Sequence, residues 1–206
     1  DSDWTRRRPI LWSPNGYVAH SGQPDSPVVR VDTHRAGRSV RHHVTANDVT
    51  DLYEEFGDER LPPGQHETTD FPVLSKSGRP SWDPETWEFT VSGAVEEALT
   101  FSWDEFRELP SETQVQDFHC VTGWSKFDCE FTGVPFPVLA ERAGVRDEAS
   151  HVMFVALDDY TTDLSLDACM RDEVLFAWDY AGESLPPDHG GPLRVVTPHK
   201  YAYKGA

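Results

Sequence analysis

The chain has 206 residues, a length typical of one domain rather than two. Its 36 Asp and Glu outnumber its 18 Lys and Arg, and the resulting net charge of −18 repels phosphate backbones and anionic lipid. We therefore expect no nucleic-acid partner, and we expect no membrane span because no apolar run approaches the ~20 residues that a span requires.

Arg greatly outnumbers Lys, since only four of the 18 basic residues are Lys. An acidic surface poor in Lys is typical of proteins that work at molar salt, where screening shortens the range of repulsion. An ordinary acidic bacterial enzyme is the alternative. The three cysteines are too few, and odd in number, for a disulfide framework, which favours a reducing, cytoplasmic compartment.

Residues 1–48 are predicted to be a disordered or non-native leader. The first 46 residues carry a net charge of +3 against −21 for the remainder, and they show neither helical nor strand periodicity. Residues 6–11 faintly resemble a twin-arginine export signal, but no apolar stretch follows them. Residues 49–206 are predicted to be the folded domain, and the absence of a closing element at its end suggests C-terminal truncation.

Short strands and helices alternate irregularly along this domain. Ser102 and Glu105 form a capping box that starts a helix through Leu109, and a second helix is expected over residues 135–143, ended by Gly144. Strands are expected over residues 87–91, 115–120, 151–157, 174–178 and 193–197, and a short helix over residues 51–56. Because no regular βαβ alternation appears, the predicted fold class is α+β, with mixed sheets, short helices and long loops.

The densest chemical cluster spans residues 117–125, where His119 and Cys120 leave a predicted strand and enter a turn. A thiolate at such a place can meet a ligand, since thiolates are soft metal ligands. A buried thiol at a strand end is the alternative. A zinc site would need His119, Cys120, Cys129 and Cys169, and no CxxC or HxxxH spacing supports it.

A second cluster lies near the end of the chain. Arg194, Lys200 and Lys204 fall close together in a strongly acidic sequence, and three glycines lie nearby. Cations beside glycine turns suit a phosphate or another anion. Three surface cations on a hairpin are the alternative.

Together the two clusters resemble the molybdopterin-binding domain of the sulfite oxidase family, over about residues 51–206. The matching pieces are residues 119–125, 131–134, 159–161 and 182–205, with residues 60–65 and 87–95 upstream. Within that family the sequence is most similar to prokaryotic sulfite-oxidase-like oxidoreductases of haloarchaea, in agreement with the charge.

The resemblance implies Mo-molybdopterin as the cofactor, with one Mo held by a single pyranopterin dithiolene. Cys120 matches the family's Mo-ligating cysteine, and His119 beside it is expected to orient the ligand or relay a proton. Pterin contacts are expected from His189, Arg194, Lys204, Gly205, Thr68 and Phe71. At the last two positions the family's usual Asn and aromatic pair are not kept.

The resemblance further implies an enzyme that transfers an oxygen atom, with two electrons, to or from a small sulfur-containing substrate. Sulfite needs a cationic pocket, whereas oxidised methionine needs a more open, less charged site. Candidate cations are Arg107, Lys126, Arg171, His199 and Lys200. The haem domain of animal sulfite oxidases has no counterpart here, so a separate electron donor or acceptor is expected. The alternatives are a cofactor-free binding module that keeps the fold and a zinc or thiol redox protein.

We predict that folding depends on high salt, because a net charge of −18 repels itself when unscreened. The melting temperature should rise between low and molar KCl in thermal scans followed by circular dichroism. A cooperative melt with the same midpoint at both salt concentrations would contradict the salt-adapted interpretation.

Overall fold

The computed structural model describes residues 28–35, 51–52, 60–74 and 79–205, and within them eleven strands form two mixed sheets with three short α-helices. The strands are β1 (Val28–Arg35), β2 (His66–Glu67), β3 (Trp87–Gly93), β4 (Leu99–Ser102), β5 (Glu112–Cys120), β6 (Trp124–Pro135), β7 (His151–Val155), β8 (Thr161–Ser165), β9 (Leu175–Tyr180), β10 (Glu183–Ser184) and β11 (Arg194–Val196). The helices are α1 (Trp103–Arg107), α2 (Phe136–Ala143) and α3 (Leu166–Cys169), and two 3₁₀ turns span Pro187–His189 and Ala202–Lys204. The α+β fold class is thereby confirmed.

The first sheet has the strand order β4-β3-β1-β7-β8, so its central strand comes from the predicted leader. β1 pairs antiparallel with β3 and parallel with β7. Val29 and Val31 alternate onto the core face, whereas Arg30 and Asp32 pair with each other at 2.7 Å. The prediction of a disordered leader is therefore wrong for residues 28–35, because this short alternation is stabilised by strands far away in sequence. The rest of residues 1–48, and all but the first two residues of the predicted helix 51–56, lie outside the described residues.

The second sheet has the order β10-β9-β6-β2, with β5 paired to β6 and β11 paired to β9. Its central strand β6 is 12 residues long and was not predicted. β6 is irregular, since the β5–β6 register shifts between Gln116 and Phe118 and Asp128 has a φ of +53°. Such irregularity conceals the period of two by which a strand is recognised in sequence.

The locally encoded elements are confirmed. Ser102 Oγ accepts a hydrogen bond from the Glu105 backbone amide and the Glu105 carboxylate accepts one from the Ser102 amide at 2.8 Å, although α1 ends at Arg107 rather than at Leu109. α2 ends at Gly144, whose φ of 62° lies in the left-handed region. The five predicted strands appear as β3, β5, β7, β9 and β11, with ends that differ from the prediction by at most three residues.

The main hydrophobic core is rich in phenylalanine. Phe89, Phe106 and Phe176 are fully buried and pack against one another, with ring centroids of Phe89 and Phe106 4.5 Å apart. A second, smaller cluster lies against the second sheet and includes Phe118 and Cys120. No helix among the described residues is long and apolar enough to cross a membrane.

We predict that Gly133→Ala destabilises the fold by at least ~2 kcal/mol, because its Cβ would lie 2.1 Å from the Phe176 carbonyl oxygen on β9. Gly182→Ala is the matched control. Its φ is +78° but nothing lies within 4 Å of the new Cβ, so only a backbone cost of about 1 kcal/mol is expected. Urea unfolding of both variants measures the difference, and equal midpoints would contradict the packing explanation.

Candidate active site

Cys120 ends β5 at the head of the β5–β6 hairpin. Gly123, with a φ of +96°, turns the chain and donates its amide to the Cys120 carbonyl at 3.1 Å. The residue is 8% exposed, and Sγ lies 3.1 Å from Thr122 Oγ1. Cys120 faces Trp124 across the hairpin and belongs to the second hydrophobic cluster. The hairpin thus places the thiol at the edge of this cluster of apolar side chains, here called the pocket (Phe71, Phe118, Cys120 and Trp124).

Arg194 brings a positive charge into the same pocket. Its Nη1 donates to the His189 carbonyl at 2.7 Å, and the guanidinium stacks over the Phe118 ring at 4.8 Å. Nε is sealed from solvent and has no hydrogen-bond partner among the described residues. Burial lowers the pKa of Arg194 to about 10, although the thiols of Cys129 and Cys120 lie close enough to favour its charge.

An enclosed guanidinium without an anion is costly to fold. Within the described part of the chain, no carboxylate lies within 4.0 Å of Arg194. The surface-hairpin alternative is therefore wrong for this cluster, in which Lys200 and Lys204 are buried and Arg194 is half-buried. A charge kept in this way is preorganised for an anionic ligand.

Phe71 and His189, which lie far apart in sequence, stack against each other at the pocket. Their rings stack with centroids 4.1 Å apart and an interplanar angle of 12°. Phe71 also meets the edges of Phe118 at 5.1 Å and Trp124 at 6.1 Å. Burial, followed by the charge of Arg194, lowers the pKa of His189. Of the predicted pterin contacts, Phe71, His189 and Arg194 are brought together.

The segment that carries Phe71 is tied to the cysteine hairpin. Its strand β2 runs parallel to the start of β6, where the His66 amide donates to Gly123 at 3.0 Å and the Thr68 amide donates to Ser125 at 2.9 Å. Thr68 Oγ1 accepts the Asp70 amide, so the hydroxyl serves a local turn. Thr68 therefore lies beside the cysteine hairpin, and its contact with a pterin stays a prediction.

His119 lies on the other face of the hairpin, because neighbouring residues of a strand point to opposite sides. It is buried, and Nδ1 lies 2.8 Å from Ser125 Oγ. Burial lowers its pKa, with the charge of Asp117 opposing, so the ring is neutral at physiological pH. The geometry favours an orienting role for His119, and its proposed proton relay stays a prediction.

The last predicted contacts form a loop beside β11. Lys204 Nζ donates to the Asp163 carbonyl at 3.0 Å and lies 3.5 Å from that residue's carboxylate. A Cβ on Gly205 would lie 2.1 Å from the Val195 carbonyl oxygen, so only glycine allows this approach next to Arg194. The 3₁₀ turn before Gly205 packs against β5 and β8. The loop thus contacts β5, which ends at Cys120, and β11, which carries Arg194.

Three buried polar atoms without a partner among the described residues belong to this region: Arg194 Nε, Trp124 Nε1 and Thr197 Oγ1. Buried polar groups normally have partners, so together they mark a place for a polar ligand. Sequence reasoning missed Thr197 and also Gln65, whose Nε2 donates to the Cys120 carbonyl at 3.1 Å. No local signal identifies Gln65, since it lies 55 residues before Cys120.

The zinc alternative is wrong for the described residues, in which no three His, Cys, Asp or Glu side chains gather to hold a metal ion. Cys169 belongs to the main core, whereas Cys120 and Cys129 lie in the second cluster. Burial raises the pKa of Cys129 to about 11 and raises that of Cys169 as well, which is typical of inert thiols.

We predict that Arg194→Met does not destabilise the metal-free protein and stabilises it by up to about 2 kcal/mol, because it removes an enclosed charge that has no counter-ion. Arg171→Met is the contrasting control. It would remove the guanidinium that lies 2.6 Å from the 9% exposed Asp51 carboxylate, whose contact with Lys200 is longer at 3.8 Å, and should cost about 3 kcal/mol. Urea unfolding compares the two, and an equal loss of stability in both variants would refute the account of Arg194.

Comparison with known proteins gives one matching family model, the oxidoreductase molybdopterin binding domain, over residues 76–206. The uncharacterized oxidoreductase YuiH of Bacillus subtilis is 40% identical over 148 residues, which cover 71% of this chain and 75% of YuiH. The protein-methionine-sulfoxide reductase catalytic subunit MsrP of Ralstonia nicotianae is 26% identical, over 100% of this chain and 60% of that protein.

Among solved structures, the sulfane dehydrogenase SoxCD of Paracoccus pantotrophus aligns with a TM-score of 0.47 and 23% identity, over 54% of this chain and 33% of that chain. The relatives named here are bacterial, and an archaeal, salt-adapted source stays a prediction. The family model spans more than half of the chain and contains both Cys120 and Arg194, and the chain therefore belongs to the oxidoreductase molybdopterin-binding domain family.

Proposed function

We propose that this chain is the catalytic domain of a molybdopterin-dependent oxidoreductase that transfers an oxygen atom, with two electrons, between its metal and a neutral S-oxide such as oxidised methionine. The observation that carries the proposal is the enclosed Arg194 guanidinium, which has no carboxylate partner among the described residues and lies in the same pocket as the Cys120 thiol.

The residues present fit Mo-molybdopterin. Cys120 offers a soft sulfur ligand, and Arg194 and His189 offer cationic or hydrogen-bonding groups for the pterin phosphate. Lys204 lies 3.5 Å from the Asp163 carboxylate, and its contact with the phosphate stays a prediction. The glycine at position 205 allows the closing loop to approach β11. When bound, the cofactor supplies a metal that changes oxidation state by two electrons and exchanges an oxygen atom.

The chain's own contribution is position and charge. Cys120 would hold the metal as a thiolate, and Arg194 would offset the negative charge of the bound cofactor. Phe71 and Phe118 pack edge to face beside that charge, and their apolar surfaces exclude water. These residues bind and orient the cofactor, and they leave the oxygen transfer itself to the metal.

Two of the cations predicted for a sulfite pocket already make contacts within the protein. Arg107 packs over the Trp178 ring at 4.5 Å, and Lys126 donates to the Thr69 carbonyl, in the segment beside the cysteine hairpin. A doubly charged oxyanion would have to compete with these contacts.

The remaining three candidates belong to a buried polar network. Arg171 lies 2.6 Å and Lys200 3.8 Å from the carboxylate of Asp51. Burial, followed by the charge of Arg171, lowers the pKa of His199 to about 4, so this ring is neutral. By contrast Val121, next to Cys120, is 53% exposed. The exposed apolar Val121 beside Cys120 supports a neutral thioether S-oxide over sulfite.

Electron transfer requires a separate donor protein. This proposal is supported by the name of the Ralstonia relative, which describes a catalytic subunit. The chain spans 60% of the length of that relative. The activity and the partners of the whole protein are therefore proposed for this chain. We also propose a cytoplasmic setting at high salt, supported by three free, buried thiols and a net charge of −18.

We predict that Cys120→Ser lowers the rate of sulfoxide reduction by more than about 100-fold, because loss of a ligand costs more than the ~10–100-fold typical of groups that only orient one. Reduction of methionine sulfoxide is followed with a reduced viologen dye as electron donor, and oxidation of sulfite with ferricyanide as acceptor. The Mo content of the same samples is measured by metal analysis. Cys169→Ala, in the main core, is the control and should keep both metal and activity.

Retained turnover and normal Mo content in Cys120→Ser would refute the assignment. Soluble wild-type protein without Mo, from a host that makes molybdopterin, would favour the cofactor-free binding module. Faster turnover of sulfite than of methionine sulfoxide would overturn the substrate class.

A further inference from the structure

A continuous line of hydrogen bonds leads from His119 back to the carbonyl of Cys120. His119 Nδ1 lies 2.8 Å from Ser125 Oγ, Ser125 Oγ donates to Gln65 Oε1 at 3.2 Å, and Gln65 Nε2 donates to the Cys120 carbonyl at 3.1 Å. The line starts at the His119 side chain on one face of the hairpin. It ends at the backbone of Cys120, the next residue in the sequence.

The chemistry of the groups gives this line a direction. Because Ser125 uses its hydroxyl proton on Gln65, its oxygen accepts from His119, and His119 therefore carries its proton on Nδ1. Ser125 is fully buried and His119 is 3% exposed, so water does not compete for these two groups. Aligned hydrogen bonds in such surroundings strengthen one another.

The line ends on the backbone carbonyl of Cys120. The Cys120 carbonyl accepts from both Gln65 and the Gly123 amide, which occupies both of its lone pairs and fixes the plane of the following peptide. The β5–β6 ladder holds the hairpin together independently, since His119 pairs with Ser125 and Cys120 with Trp124 along the backbone. Removal of the side-chain line therefore leaves the fold and changes the aim of Cys120.

We propose that Gln65, Ser125 and His119 form a positioning relay that sets the orientation of Cys120 as a metal ligand. The inference rests on the proposed function, because it assumes that Cys120 binds the metal. In this relay His119 is a positioning residue that acts on Cys120 through Ser125 and Gln65.

The test compares variants that break the relay with one that keeps it. His119→Leu removes the first donor, and Gln65→Met removes both bonds of the central link while keeping its length. His119→Asn retains an N–H near the Nδ1 position. His151→Leu is the matched control, because His151 makes the same kind of bond to Ser150 at 3.0 Å but lies on β7 in the first sheet.

Three readouts apply to the holoenzyme: the Mo(V) electron paramagnetic resonance spectrum, kcat and KM for methionine sulfoxide, and Mo per chain. His119→Leu and Gln65→Met should shift the spectrum and lower kcat by about 10–100-fold at an unchanged KM. His119→Asn and His151→Leu should resemble wild type. If His119→Leu fails to fold, the Gln65→Met variant decides.

A wild-type spectrum and kcat in His119→Leu or Gln65→Met would overturn the relay. Failure of His119→Asn to restore the signal would also overturn it, as would an equal effect of His151→Leu.

A fourth readout separates this inference from the proposed function. In the metal-free full chain, iodoacetamide alkylation of Cys120, located by peptide mass spectrometry, should be several-fold faster in His119→Leu and Gln65→Met than in wild type. Faster alkylation in these variants of a protein that never binds Mo would refute the proposed function. It would still support the claim that the relay orients Cys120. Unchanged alkylation rates in a protein that does bind Mo would refute the relay alone.

Discussion

The site depends on a positive charge that the fold encloses without neutralising it. Arg194 is held by the His189 carbonyl and the Phe118 ring, and its Nε has no partner among the described residues. Folding alone gains little from such a group, which supports the proposal that it binds an anionic cofactor. The thiol of Cys120 lies near enough to this charge to favour the charged form of Arg194.

The second sheet assembles the site from segments far apart in sequence. β5 and β6 carry Cys120 on their hairpin, β2 brings the segment of Phe71 alongside, and β11 brings Arg194 through its pairing with β9. Because a sheet fixes these strands by backbone hydrogen bonds, the side chains arrive in register before any ligand is present. The main aromatic core lies apart from this pocket and serves stability.

Sequence reasoning succeeded where the signal is local. The capping box of α1 and the glycine that ends α2 lie within the elements they define, and the cysteine and arginine motifs identified the family. It failed for β1, whose partners β3 and β7 lie more than fifty residues away, and for the irregular β6. Sequence reasoning also expected the His119 ring beside the thiol, because the two residues are neighbours in sequence. The pleat of the strand instead turns the ring to the other face of the hairpin. Gln65 could not be found, since only the folded sheet brings it to Cys120.

The central claim is that Cys120 and the Arg194 pocket hold one Mo through a single pterin dithiolene. X-ray absorption spectroscopy at the Mo edge, on protein purified in molar KCl, tests it most directly by counting sulfur neighbours. The account predicts three sulfur ligands, two from the dithiolene and one from Cys120. A protein without Mo, or a Mo whose only sulfur ligands come from the pterin, would contradict it.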